Sequence, residues 1–463
     1  MSVMLNDCRG CPTSASDEAE VAALDAAVEL YCNYEMSTGV AVKQLLADHP
    51  TSVMGAVLRG YSVLMLESVG VQAKVVATAN GLLETATHAN DRERLHVAAL
   101  ARWADGGDVV GAAEMWDRIL ADHPTDLLAL KLHHYTTFWT GRAGVLLSTV
   151  EGVLDAWGPS TPGYDHVLGM HAFALNECGR YEVAEQIGRE ALAMNDADLW
   201  SVHAVAHALE MQGSLEAGIA LFDVDPEIWA GKNPFVGHLW WHSALFPWNK
   251  GDYDTVLAIY DERLRPASTE FFLDLQNLSS LLIRLDLSGV DVGGRWDELG
   301  DYAAQRIGDH VLAFTDVHCA MTLARTDRVD ELEQFLASLS QHRASLRPGM
   351  STAGIDVALE LGHGFSHIAH QEFDAAASTM GRVRGDLAPI GGSHAQRDVF
   401  DLMLISATEL AGDAAMALHL LRSRTRKWPT SVPTWQRYSL VLDEAGHTEA
   451  AQVAANTALE ISR

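Results

Sequence analysis

Basic residues are scarce in this chain. Lysine and arginine number 32 against 62 aspartates and glutamates, a formal net charge of -30. Such a surface repels phosphate backbones and anionic lipid, which argues against nucleic acid and membrane as partners. Long apolar runs are missing too. No stretch approaches the roughly 20 residues that cross a bilayer, and the N-terminus has no basic segment followed by an apolar one. Cysteine is limited to Cys8, Cys11, Cys32, Cys178 and Cys319. An odd, scattered set is no disulfide framework, and a cytoplasmic protein is expected. The CRGCP pair has CxxC spacing but neither a second CxxC nor a strand-helix context, so it reads as a reduced pair on a frayed terminus. β-branched runs such as Val290 to Val292 are too short to require strands.

What remains is helix. Residues 17–48, 51–88 and 91–122 each read as a helix pair, with apolar residues at helical spacing. Ala112, Trp116 and Pro124 fall at the small, aromatic and proline positions of a tetratricopeptide repeat, whose period is ~34 residues. The pattern returns at Ala184 and Ala191, at Ala417 and Pro429, and at Ala450, 33 residues after Ala417. The spacing predicts an all-α fold of tetratricopeptide-like helix-turn-helix repeats, forming a single right-handed superhelix around a concave pocket. Residues 1–16 are expected to be a flexible N-terminus and 17–463 the α-solenoid, with 270–308 an atypical repeat region.

Histidine is where chemistry is expected. His203 and His207 lie four apart, as do His238 and His242, so each pair shares a helix face, and Glu210 stands one turn beyond His207. The steps from His134 to His171, to His207 and to His242 are 37, 36 and 35 residues, close to the repeat period. Histidines in register stack along one wall, with Trp139, Trp200, Trp240, Trp241 and Trp248 as aromatic lining. Asp316 and His318 in DVHCAMTLA add polar groups. His394, Arg397 and Asp398 follow two glycines and a serine in GGSHAQRD, either an anion-binding helix start or a plain cap. The basic run RSRTRK (422–427) reads as helix-end cations.

Several of these segments carry a family likeness. HAVAHALEMQG (203–213), HLWWHSALF (238–246), GDYDTVLAIYDERLRP (251–266), SSLLIRLDLSGVDVGGRW (279–296), DVHCAMTLA (316–324) and IGGSHAQRDVF (390–400) resemble the family named for tetratricopeptide repeat protein 38. The segments run over most of the chain, and Leu239 departs from the family pattern, which has a polar residue there. The resemblance implies an all-helical repeat fold and no particular reaction.

Three readings of the histidine wall follow. The first is a small-molecule-binding protein or enzyme. Its acid-base groups are His203, His207, Glu210, His238 and His242, and its ligand contacts are His134, His171, Trp241, Asp316, His318, His394, Arg397 and Asp398. The second is a site for a divalent metal such as zinc on His203, His207, His238 and His242, although the HExxH pattern is broken at Ala204. The third is a non-catalytic scaffold that binds a protein or peptide on its concave face. A homo-oligomer is compatible with each.

Overall fold

The computed structural model describes residues 5–67, 69–265 and 271–463. The fold is all-α, with twenty-four α-helices among the described residues. Successive helices pair antiparallel across turns in which glycine takes a left-handed backbone, as at Gly179 (φ 75°) and Gly412 (φ 78°). Packing divides the chain into two compact units. The first comprises residues 1–205, 226–236 and 346–350; the second comprises 206–225, 237–345 and 351–463.

In the first unit the helix pairs Glu18–Cys32 with Thr38–Asp48, Asp91–Ala104 with Val109–Asp122, Leu127–Trp139 with Ala143–Val153, and Tyr164–Glu177 with Tyr181–Met194 pack in chain order. Small residues set the separation. Ala112, Ala184 and Ala191 are fully buried, as their repeat positions require. A Cβ on Gly188 would stand 2.7 Å from a methyl of Val205, so only glycine allows the helices to approach this closely.

The terminal segment is anchored rather than frayed. Residues 1–4 of the expected flexible stretch lie outside the described residues. From residue 5 the chain forms a hairpin, Leu5 opposite Thr13 and Asn6 opposite Pro12. The Asp7 carboxylate accepts from the Arg9 and Cys11 amides at 3.0 and 2.8 Å, and Arg92 donates from Nε to the Pro12 carbonyl at 3.1 Å. Burial pushes the Cys11 thiol up to about 12 and the Cys8 thiol to about 11, far from the thiolate state that metal or redox work needs.

In the second unit Ala313–Arg325 pairs with Val329–Ser345, Ala353–Ala369 with Phe373–Val383, His394–Leu410 with Ala414–Lys427, and Val432–Glu444 with Thr448–Ile461. Ala417 is buried as predicted, but Ala450 is exposed, and Ala451, one residue on, takes the inward position. The 34-residue step from Ala417 to Ala451 is the repeat period itself. Of the atypical region, Glu270 lies outside the described residues. The rest is the long helix Phe272–Leu287, a 3₁₀ turn at Gly293–Trp296 and the short helix Asp297–Ala304. A π turn, Tyr260–Leu264, precedes it, and Pro266 of the neighbouring motif is also outside the described residues.

Asp126 ties several elements of the first unit together. It caps Leu127–Trp139 by accepting from the Ala129 amide at 2.9 Å. It also takes a charged bond from Arg92 Nη1 at 2.7 Å and meets His96 Nε2 at 3.0 Å. Burial opposes its charge, yet His96 and Arg92 hold the carboxyl well below the usual carboxylate range. Replacing Asp126 by Ala strands the Arg92 guanidinium and removes the cap, a loss of about 3–5 kcal/mol. A fall in the urea midpoint of the unfolding transition measures it.

Candidate functional site

The helix Leu199–Gln212 contains the boundary between the units, which falls between Val205 and Ala206. His203 therefore belongs to the first unit, whereas His207, Glu210, His238 and His242 belong to the second.

In the second unit His207, His238 and His242 come together as their helical spacing predicts. The His242 ring lies edge-on to His207 with centroids 4.3 Å apart, and edge-on to His238 at 4.8 Å. All three are buried, and so is Glu210, whose Oε2 is 3.4 Å from His242 Nδ1. His238 stacks on Trp241 at 5.3 Å, the planes 9° apart. The helix Phe272–Leu287 supports this pair: His238 Nδ1 donates to Asn277 Oδ1 at 2.8 Å, and Trp241 Nε1 donates to Ser280 Oγ at 2.9 Å. With Nδ1 protonated, neutral His238 carries its lone pair on Nε2.

Electrostatics make the cluster unusual. Burial, with His238 and His394 nearby, drives His207 well below the ordinary histidine range. Burial also lowers His238 to about 4, against the Asn277 bond that opposes it. The same desolvation acts oppositely on an acid and lifts Glu210 to about 8, because Arg284 only partly offsets it and Asp398 adds to it. At neutral pH His207 and His238 are thus uncharged bases beside a carboxylic acid that still holds its proton. Arg284 is the fixed cation, lowered by burial to about 10. Its Nη1 donates to the Ser280 carbonyl at 3.0 Å and its Nη2 to the Ala395 carbonyl at 2.8 Å, with Trp241 and Trp248 flanking the guanidinium.

The remaining predicted residues are placed elsewhere. Asp316 faces His310, whose Nδ1 is 2.9 Å away, rather than the central histidines. His318 donates from Nδ1 to the Phe314 carbonyl at 2.8 Å and packs between Phe314 and Phe400. The expected anion triad is divided. Arg397 donates to the carbonyls of Gly391 and Gly392 and, from Nη2, to His394 Nδ1 at 3.4 Å. Asp398 instead receives both arms of Arg424 at 2.5 and 2.7 Å. A capping box occupies the helix start, with Ser393 and Gln396 satisfying each other's amides. Arg424, from the basic run read as helix-end cations, is therefore a buried ion-pair partner.

In the first unit His134 and His203 are brought into one aromatic cluster. Trp200 lies 5.4 Å from His134 and 4.8 Å from His203, and Phe173 lies 5.7 Å from His134 and stacks on His203 at 5.1 Å. His171 is absent from it. Two positions before Phe173, and so on the other side of its helix, it meets Glu151 at 3.6 Å. The predicted ladder breaks at this rung. Sequence reasoning also missed Lys131, buried with its ammonium 4.2 Å above the Tyr34 ring and 5.4 Å from Trp200. Its place three residues before His134 was the available signal. Arg284 and Asn277 had none, since Asn277 meets His238, and Arg284 meets Ala395, Trp241 and Trp248, across helices.

No described helix is long and apolar enough to cross a membrane. No protein-family model matches the chain. Among solved structures it is similar to the human IFIT1 dimer with PPP-AAAA, at 10% identity and TM-score 0.41 over 96% of this chain and 95% of that one. It is also similar to the Naa15/Naa10 complex bound to HypK-THB, at 12% identity and TM-score 0.25, over 95% of this chain and 68% of that one. The TPR domain of P58(IPK) is similar at 11% identity and TM-score 0.22, over 80% and 93% of the two chains. These scores carry no function across.

Glu210 gives the site a signature in stability. Its folded pKa of about 8 exceeds the ordinary value of 4.5, so the native state holds the extra proton between them. Its contribution is fully present below pH 4.5 and is lost as pH rises through 8. At ~1.4 kcal/mol per unit the loss is several kcal/mol. Glu210→Gln removes this dependence, so the variant becomes the more stable protein at pH 8.5 and the gap closes at pH 4.5. Paired urea titrations at the two pH values check it.

Proposed function

We propose that this chain is a tetratricopeptide-like helical-repeat protein that binds a small polar molecule in its second unit, at His207, His238, His242 and Glu210, with capacity for acid-base chemistry. One observation carries the reading: His207, His238, His242 and Glu210 pack together in a buried cluster against Trp241, where burial disfavours charge on His207, His238 and Glu210. A purely structural core gains little from this combination, because each group could be replaced by an apolar residue without desolvation cost. A ligand that accepts from Glu210 and donates to a neutral imidazole would use both. Arg284 supplies fixed positive charge nearby, which favours a ligand with acidic or carbonyl oxygen. Membership of the tetratricopeptide repeat protein 38 family and a cytoplasmic setting belong to the same proposal, and five free cysteines suit a reducing compartment.

A divalent metal is the second reading. Asn277 fixes His238 as the tautomer with a lone pair on Nε2, the form in which histidine ligates. His242, 4.8 Å from His238 ring to ring, would be a second ligand within the unit, and Glu210 would need to lose its proton to take part. The third reading, a scaffold for a protein or peptide, rests on the repeat architecture alone.

Native mass spectrometry of the purified full-length protein, with elemental analysis, separates them. We expect a stoichiometric organic mass that disappears from the His207→Ala/His242→Ala variant while helicity by circular dichroism is retained. A stoichiometric metal lost in the same variant would move the assignment to the second reading. A bare polypeptide mass, with a melting temperature unmoved by small polar acids, would leave the scaffold.

A further inference from the structure

A second polar constellation lies in the second unit, away from the histidine cluster and unused by it. The helix Ala313–Arg325 carries Asp316 in its first turn, the segment before it carries His310, and the helix Val329–Ser345 carries Ser338. His310 bridges the other two, with Nδ1 2.9 Å from Asp316 Oδ1 and Nε2 2.9 Å from Ser338 Oγ. A carboxylate oxygen accepts, so Nδ1 carries the proton and Nε2 is the lone-pair nitrogen facing the hydroxyl. Hydroxyl, imidazole and carboxylate are therefore linked in the order and with the nitrogen assignment that activate a serine nucleophile.

Three further observations suit the hydroxyl to reaction. A serine within a helix commonly bonds the carbonyl one turn back; Ser338 is instead engaged by His310. Its side chain is half-buried, whereas His310 and Asp316 are buried behind it, so the nucleophile is the member solvent can reach. Gly308, with φ 93°, borders the hydroxyl: a Cβ there would stand 3.9 Å from Ser338 Oγ, in ordinary contact. Among the described residues its amide makes no hydrogen bond, so the loop that borders the hydroxyl keeps an uncommitted N–H donor. Phe335 packs edge-on against the His310 ring at 5.1 Å and fixes its plane, with His342 5.6 Å away on the same helix as Ser338.

We propose that Ser338 and His310, with Asp316 as positioning residue, form a serine-esterase site for small acyl esters. Ser338 Oγ attacks the ester carbonyl carbon as its proton passes to His310 Nε2. The carbonyl oxygen becomes an oxyanion beside the Gly308 amide. Collapse breaks the bond to the leaving alcohol, which takes the proton from His310, and leaves an acyl group on Ser338. Water repeats the sequence with His310 as base, so ester and water become carboxylic acid and alcohol. Asp316 holds the imidazole in its tautomer and opposes the charge it gains.

A fluorophosphonate probe on the full-length protein, followed by peptide mapping, tests this directly. One probe per chain on Ser338 is expected. Ser338→Ala, a substitution a helix favours, should keep its melting temperature and lose p-nitrophenyl acetate hydrolysis by about 100-fold or more. Asp316→Asn should slow the saturated labelling rate and leave the half-saturating probe concentration unchanged, a split that mere loosening of the fold would not give. An unlabelled Ser338 in the folded wild-type chain, or hydrolysis that persists in Ser338→Ala, overturns the proposal.

Discussion

Desolvation of ionisable side chains between helices is the constraint to which the rest of this structure answers. A repeat fold offers a thin interior, one helix pair deep, and this chain places histidine, arginine, lysine and acid side chains inside it. Each must then be matched to a partner or surrender its charge. Asp126 keeps its charge because Arg92 and His96 meet it, and Asp398 because Arg424 grips both its oxygens. Glu210 meets only the His242 imidazole at 3.4 Å, and burial outweighs the more distant Arg284 and Lys427, so it holds a proton instead. Whether a buried acid is matched or left to neutralise decides whether it serves the fold or is available for chemistry.

That distinction separates two kinds of histidine. His166 sits between Glu29 at 3.6 Å and Asp198 at 3.7 Å; burial disfavours its charged form, but the two carboxylates raise it well above the ordinary range. It is an ion-pair member, and its contribution to stability is present below about pH 6.5 and lost as pH rises through its folded value. His207 and His238 are the reverse case: burial prevails, they stay neutral, and their contribution is lost as pH falls through the range below 6.5. A residue type counted 21 times in the chain thus does opposite work according to the acids around it.

Much of the architecture was legible because it rests on local rules. The helix pairs follow from apolar spacing, and the pairing of His238 with His242 and of His207 with Glu210 on shared helix faces follows from 3.6 residues per turn. The failures occur where one helix must be registered against another. His171 was assigned to the ladder on a 37-residue step, and Phe173 stands there instead. Ala450 was assigned to the repeat position that Ala451 fills. An offset of one or two residues rotates a helical side chain by 100 or 200°, enough to move it to another face, and the sequence carries no strong mark of it. Asp398 and Arg424 show the same limit: 26 residues apart, they form one buried pair that no spacing rule announces.

The Ser338, His310 and Asp316 group marks the far end of that scale. No two of its members are adjacent, and the central one lies in a connection between helices rather than on a helix face. Periodicity can place Asp316 near a helix start and Ser338 mid-helix, but the imidazole that joins them is positioned by the path of residues 305–312, where Gly308 takes a left-handed turn. Had any other residue stood at 308, the positive φ would be strained, although its Cβ would meet the serine hydroxyl only at ordinary contact distance. The glycine is thus the local feature through which the loop geometry, and with it the link between the two helices, enters the sequence.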